Sequence, residues 1–341
     1  MRDQLAAMPI LTTCLRHFVL LSVAVPLTVI MASPALAQLN TVKPVTTTRQ
    51  LQQSASTLSQ PDEPVLIKTD LVTMTVSVTD TNGRQVSGLE KKDFTILDNQ
   101  LAQEITFFSD DDLPASVGIV FDVSGSMSGQ SIMKAREALG AFIQTSHPND
   151  EYFLIDFGSR PRLLLNRTLD GDEVLRELSY VAPQGQTALY DAAYLALAQL
   201  TNATRRKRVV LIISDGQDND SRYTFTELRR ALKESDVIIY AIGTNPNANT
   251  KAEMYGRLAL EELASASGGK AFFPRDSGQM AEAFERVAVE LRCQYSIGYR
   301  PANFIANGKW HRVKVTVRSP TELKRVFVRS ADGYYAVGSV R

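Results

Sequence analysis

Five oxygen-bearing side chains stand in three short segments of the 341-residue chain. Asp122, Ser124 and Ser126 alternate in Asp-Val-Ser-Gly-Ser, Thr187 follows Gln-Gly-Gln, and Asp215 lies in Ser-Asp-Gly. Alternate residues of an extended segment point to the same side, so the oxygens of the first three can converge. Carboxylates and hydroxyls are hard ligands, which suit Mg²⁺, Mn²⁺ or Ca²⁺ and not Zn²⁺. The sequence therefore indicates a site for a divalent cation.

The charge of this set predicts what else a metal ion bound there would coordinate. Two carboxylates balance the charge of one divalent cation, and neutral hydroxyls donate little electron density. We expect a bound ion to stay electrophilic and to keep a water molecule or an open position. A carboxylate from a partner protein can take that position.

The elements that must bring these side chains together are predicted by apolar runs. Val117–Phe121, Val209–Ile213 and Val237–Ile242 are continuously apolar, which is typical of parallel strands buried on both faces. The first run ends directly before Asp122, and the second ends just before Asp215. In doubly wound sheets, the carboxyl ends of the strands form the ligand crevice.

Helical patterns lie between these runs. After Thr187, apolar residues recur from Leu189 to Leu200 at the i, i+3, i+4 spacing of a helix face. Further helices are predicted at residues 131–143, 224–232, 255–266 and 280–291. Strands that alternate with helices indicate an α/β fold with a doubly wound, mostly parallel sheet.

Both flanks of this α/β region carry short strand patterns. In the first, Val72, Met74, Val76 and Val78 alternate with Thr and Ser, as in a half-buried strand. The further predicted strands are 94–97, 105–108, 295–299, 313–317, 326–328 and 334–337. Neither flank has enough strands to bury much surface alone. We therefore expect residues 63–112 and 293–341 to pair as one small β-sandwich around an α/β domain at residues 113–292.

The segment Asp122–Ser126, together with Thr187 and Asp215, resembles the metal-ion-dependent adhesion site of von Willebrand factor type A (VWA) domains. The three segments match in order and on the expected elements. The flanks, through Asp93–Ser109 and Ile297–Pro301, resemble the bacterial exported "VWFA-related" proteins. These flanking matches are weaker than the metal motif.

The resemblance implies that Ser124, Ser126 and Thr187 ligate the ion, with Asp122 and Asp215 bound directly or through water. It also implies a protein partner whose Asp or Glu carboxylate completes the coordination. Such domains often carry glycine before the threonine where this chain has Gln186, a departure that we expect to alter loop access without abolishing metal binding. The implied function is a divalent-metal-dependent adhesion or recognition module. The alternative is an envelope scaffold or accessory subunit whose metal site is structural or vestigial.

Composition and motifs argue against other classes. Lys plus Arg and Asp plus Glu each number 37, so the chain lacks the basic footprint of a nucleic-acid-binding protein. Gly125–Gly129 places Met127 where a nucleophile elbow needs serine. Beyond residue 37 the histidines are His147 and His311, which are hard to combine into a Ser-His-Asp triad. We expect no enzymatic activity.

The first 37 residues have the three parts of a secretory signal peptide. Arg2 and Arg16 precede an apolar run, Phe18–Ala32, which is followed by the small-residue segment Ser33–Ala37. Residues 38–62, rich in Thr, Gln and Ser, are predicted to be a disordered linker. The sequence thus predicts an exported protein of the periplasm, the cell envelope or the exterior. No integral membrane span would remain after cleavage, and an uncleaved anchor is the alternative.

Overall fold

The computed structural model describes residues 71–127, 129–245, 247, 249–302, 304–318 and 325–337. The predicted signal peptide (1–37) and linker (38–62) lie outside these ranges. Among the helices in the described ranges, none has both the length and the hydropathy that crossing a membrane requires.

Four strands precede the α/β region. They are β1 (Val72–Asp80), β2 (Phe94–Asp98), β3 (Leu101–Gln103) and β4 (Ile105–Ser109). The short strand β3 was not predicted. It follows a tight turn at Asn99 and Gln100, both of which have positive φ.

The central sheet contains six strands. They are β5 (Ala115–Asp122), β6 (Glu151–Phe157), β7 (Pro161–Thr168), β8 (Lys207–Ser214), β9 (Ile238–Gly243) and β10 (Ala271–Phe272). Their order across the sheet is β10-β9-β8-β5-β6-β7, and only β7 runs antiparallel to its neighbour. Every residue of β5 is buried, as its continuous apolar run predicts.

Six helices cover the two faces of this sheet. They are α1 (Gln130–Thr145), α2 (Gly171–Ser179), α3 (Leu189–Leu200), α4 (Phe225–Lys233), α5 (Lys251–Ala266) and α6 (Ser277–Arg292). Apolar residues of α1, α2 and α6 pack on one face, and those of α3, α4 and α5 pack on the other. The predicted doubly wound, mostly parallel α/β fold is therefore confirmed.

Helix α5 begins four residues before its predicted start because its N-terminus is capped. The Thr250 side chain accepts a hydrogen bond from the Glu253 N–H, and the Glu253 carboxylate accepts one from the Thr250 N–H. This reciprocal capping box pairs N–H groups that have no partner within the helix.

Four strands follow α6: β11 (Tyr295–Tyr299), β12 (Trp310–Val317), β13 (Val326–Arg329) and β14 (Gly333–Tyr335). Together with β1–β4 they form two four-stranded sheets, ordered β13-β1-β11-β4 and β14-β12-β2-β3. Each sheet takes strands from both flanks, and side chains such as Val76, Ile96, Ile297 and Val313 fill one core between them.

A buried carboxylate joins the two sheets. Asp98 in β2 is 4% exposed and accepts hydrogen bonds from Tyr299 of the opposite sheet and from Tyr334, each at 3.0 Å. Its other oxygen lies 3.0 Å from His311 Nδ1. Burial, with the Asp98 carboxylate also contributing, raises the pKa of both tyrosines, so that their hydroxyls remain donors.

We expect Asp98→Ala to destabilise the sandwich, because it leaves two tyrosine hydroxyls without their acceptor. The loss in the free energy of unfolding should be about 2–4 kcal/mol. Urea unfolding, followed by the fluorescence of Trp310, measures this loss. Trp310 is the single tryptophan and is adjacent to His311, which contacts Asp98. Asp110→Ala removes an exposed carboxylate and should change stability by less than about 0.5 kcal/mol. Equal effects of the two substitutions would contradict this role of Asp98.

Candidate metal centre

Asp122 ends β5 and is fully buried. One carboxylate oxygen accepts a hydrogen bond from the Ser124 N–H at 2.8 Å, and the other accepts one from the Ser214 hydroxyl at 2.6 Å. Burial raises the pKa of Asp122 to about 6, opposed by these hydrogen bonds and increased by the negative charge of Asp215.

The two serines of the first segment lie side by side. Ser124 is buried, Ser126 is exposed, and their hydroxyl oxygens are 3.0 Å apart. The extended backbone that the alternation predicts does not reach Ser126, because Gly125–Met127 forms a 3₁₀ turn. The turn nevertheless keeps both hydroxyls at the carboxyl end of β5.

Thr187 lies in a loop that is bonded to this turn. The Gln184 N–H donates to the Val123 carbonyl at 2.7 Å, and the Gly125 N–H donates to the Gly185 carbonyl at 3.1 Å. Thr187 is buried two residues before the start of α3, whereas Gln186 is exposed. The backbone of the first segment thus fixes the second.

Asp215 follows β8, the neighbour of β5 in the sheet. It is 8% exposed, and its two oxygens accept hydrogen bonds from the backbone N–H and side-chain amide of Gln217 at 3.0 and 3.2 Å. Asn219 joins this segment to the second one, because its side-chain oxygen accepts a bond from the Thr187 N–H at 2.8 Å. Neither Asn219 nor Ser214 is among the residues predicted from the sequence, although Ser214 is adjacent to Asp215.

Two glycines allow α5 to pack against the Asp215 segment. A Cβ on Gly256 would lie 2.7 Å from the carbonyl carbon of Gly216, and Gly216 itself has a φ of +83°. Residues other than glycine rarely adopt that backbone conformation. The close approach of the two backbones therefore requires glycine at both positions.

The chemistry of this donor set fits a hard divalent cation. The two carboxylates and the two serine hydroxyls lie at the ends of two neighbouring strands, and the Thr187 hydroxyl comes from the loop before α3. Within the described ranges, neither carboxylate forms an ion pair with lysine or arginine. No group of three or more Asp, Glu, His or Cys side chains in the described residues is placed to hold a metal. A cation here would therefore need the hydroxyls and water as ligands in addition to the two carboxylates.

Asp218, three residues after Asp215, is partly buried and accepts a hydrogen bond from the Tyr190 N–H at 3.2 Å, and burial raises its pKa. At the opposite end of β8, the Lys207 side chain is buried and donates to the Leu291 carbonyl.

A family model supplies the identification. The model of the von Willebrand factor type A domain matches residues 116–286, which is half of the chain. The chain belongs to the von Willebrand factor type A domain family. The matched residues run from β5 into α6 and include all three segments of the candidate metal centre.

Several proteins are similar to this VWA chain. Bovine inter-alpha-trypsin inhibitor heavy chain H4 is 29% identical over 223 residues, which cover 59% of this chain and 24% of that protein. Human heavy chain H2 is 22% identical over 157 residues, covering 41% and 17%. The chain thus spans about a quarter or less of the length of these curated relatives.

Two solved structures of VWA proteins also match this chain. The von Willebrand factor type A protein from Catenulispora acidiphila has 15% identity and a TM-score of 0.44, covering 77% of this chain and 73% of that chain. The vWF domain of the type V pili tip protein Mfa5 from Porphyromonas gingivalis has 12% identity and a TM-score of 0.42, covering 52% and 95%.

We expect Gly256→Ala to destabilise the VWA domain by about 1–3 kcal/mol, because the added methyl group would push the Asp215 segment away from α5. Gly140→Ala is the matched control. Gly140 is also within a helix, but its nearest neighbour is Leu175 Cδ1 at an ordinary 3.6 Å. That change should stabilise the protein by up to about 1 kcal/mol. Urea unfolding measures both, and equal effects would contradict the packing role of Gly256.

Proposed function

We propose that this chain is a divalent-metal-dependent protein-recognition module, with Mg²⁺, or Mn²⁺ or Ca²⁺, at the carboxyl ends of β5 and β8. The observation that carries the proposal is the pair Asp122 and Asp215. Both are buried at the ends of neighbouring strands, and no described lysine or arginine is paired with them. Buried charges of this kind need a compensating partner, and a metal ion is one such partner.

The residues of the three segments have separate roles in this proposal. The hydroxyls of Ser124, Ser126 and Thr187 would ligate the ion, while Asp122 and Asp215 act directly or through water. Each carboxylate oxygen already accepts one hydrogen bond from the protein, which orients it. Its other lone pair remains available for a metal or a metal-bound water.

A bound cation would supply a localised positive charge that a partner's Asp or Glu carboxylate can meet. Ser126 and Gln186 are exposed, whereas Asp122, Ser124 and Thr187 are buried, so a partner would approach over the exposed pair. Since the chain has no net charge, long-range attraction to that partner would be weak and recognition would be local.

Export and the lack of enzymatic activity belong to the same proposal. The pattern of residues 1–37 supports export to the periplasm, the cell envelope or the exterior. His311 bonds to Asp98 in the sandwich, and His147 lies just after α1, so neither side chain joins the oxygen donors of the metal centre. The site therefore supports recognition better than hydrolysis.

One contact favours the alternative of a scaffold or accessory subunit. The side-chain amide of Gln217 donates to Asp215 at 3.2 Å and partly satisfies that carboxylate without a cation. In the scaffold alternative, the metal would stabilise the fold or be dispensable, and partner binding would not require it.

We expect Mg²⁺ or Mn²⁺ to raise the melting temperature of the wild-type protein, because a ligand that binds only the folded state stabilises it. The gain is about 2.7 kcal/mol at a ligand concentration a hundred times Kd. Asp122→Ala should abolish the shift measured by calorimetry. Asp220→Ala, which removes an exposed carboxylate near the site, should retain it. A wild type that shows no shift, or an Asp122→Ala protein with the full shift, would refute metal binding at this site.

Partner capture from envelope extracts separates the two functions. The recognition module should lose its partner in EDTA and regain it on addition of Mn²⁺, and Ser126→Ala should weaken capture. If metal stabilises the protein but EDTA leaves capture unchanged, the scaffold alternative is correct.

A further inference from the structure

Asp191 in α3 is a buried carboxylate outside the predicted ligand set. It is 6% exposed. One of its oxygens accepts hydrogen bonds from the backbone N–H groups of Arg222 and Tyr223, at 2.9 and 3.0 Å, and the other accepts a bond from Arg222 Nε at 3.1 Å. The loop it holds, residues 217–223, continues the segment that carries Asp215.

The same loop caps the start of α3. The first N–H groups of a helix have no partner within the helix, and Ala188 at the N-cap provides no side-chain acceptor. The loop provides the acceptors, because Asn219, Asp218 and Ser221 accept from the N–H groups of the residues around the helix start. Those donors are Thr187, Tyr190 and Asp191, at 2.8, 3.2 and 3.1 Å.

The contacts between α3 and residues 217–223 are therefore reciprocal, and we call them the α3 clasp. At its far end, the Tyr223 ring stacks on Tyr194 of α3 with centroids 4.0 Å apart. At its near end, the Thr187 carbonyl accepts bonds from the N–H groups of Asn219 and Asp220. The clasp thus joins Thr187 and the Asp215 segment, two separate parts of the metal centre.

The hydrogen bonds of Asp191 differ from those of an ordinary acidic residue in the first turn of a helix. An acidic residue at N3 of a capping box bonds back to its own N-cap, as Glu253 does in α5. Asp191 instead bonds to another segment. Its ionic partner Arg222 is 76% exposed, so the ion pair contributes little and the two backbone hydrogen bonds dominate.

We propose that Asp191 is a positioning residue for the metal centre: its carboxylate closes the α3 clasp and thereby sets the placement of Asp215 relative to Thr187. This inference rests on the proposed metal-dependent function. Without the carboxylate, the N–H groups of Arg222 and Tyr223 lose their acceptor and the loop is freed. Metal affinity then falls, although no ligand has been removed.

The test measures Mn²⁺ affinity by electron paramagnetic resonance in the wild type, Asp191→Ala and Arg222→Ala, at a temperature at which all are folded. Asp191→Ala should raise Kd at least tenfold, whereas Arg222→Ala, which retains the backbone donors, should change it less than twofold. Hydrogen exchange of residues 219–223 in the metal-free protein should be faster in Asp191→Ala than in the wild type.

A matched control separates positioning from general destabilisation. Leu178→Ala removes a fully buried side chain of α2, outside the clasp, and should lower the melting temperature while leaving Kd within twofold of the wild type. If Asp191→Ala does not fold, Asp191→Asn replaces it. A Kd increase of at least threefold is then expected, because a neutral amide oxygen accepts the two backbone hydrogen bonds more weakly than a carboxylate does.

The experiment distinguishes failure of the positioning role from failure of the proposed function. If the wild type binds Mn²⁺ and the Asp191 variant binds it within twofold, the positioning role is wrong and the proposed function stands. If the wild type itself binds no Mn²⁺, both are wrong. A Leu178→Ala protein that loses affinity as strongly as Asp191→Ala would also overturn the positioning role, since destabilisation alone would explain the loss.

Discussion

The burial of two carboxylates at the ends of neighbouring strands is the constraint around which the α/β domain is organised. Burial raises the pKa of Asp122, and the negative charge of Asp215 adds to that shift. Bringing them together costs free energy unless something compensates. The protein supplies hydrogen bonds to their oxygens and fixes their loops by backbone bonds, by the approach of α5 through Gly256, and by the α3 clasp. A divalent cation would complete this arrangement.

The sandwich depends on two further carboxylates. Asp98 links its two sheets, and Glu290 of α6 links the sandwich to the α/β domain. Glu290 is 2% exposed and accepts bonds from Ser77 of β1 at 2.9 Å and from Tyr240 of β9 at 2.6 Å, and it pairs with Arg329 of β13. The division that we propose, residues 63–112 with 293–341 around 113–292, follows the way in which the flanking strands share sheets.

The central strands were predictable where the sequence is apolar without interruption, as in β5, β8 and β9, since burial on both faces leaves that signal. The edge strand β7 was not predictable, because its exposed arginines and irregular register obscure the alternation of apolar and polar residues that marks a strand. The donor set stays a prediction, made from the local spacing of Asp122, Ser124 and Ser126 and from the resemblance of the Thr187 and Asp215 segments to a known motif. The proposed role of Asp191 could not be predicted from the sequence, because it depends on contacts with Arg222 and Tyr223, about thirty residues away in the chain, which only the folded structure brings together.

The most direct measurement of the central claim is anomalous diffraction from crystals soaked in Mn²⁺. The account predicts an anomalous peak at the carboxyl ends of β5 and β8. Its ligands should be the hydroxyl oxygens of Ser124, Ser126 and Thr187, with Asp122 and Asp215 bound directly or through water. Crystals that hold Mn²⁺ elsewhere and show no peak among these oxygens would contradict it.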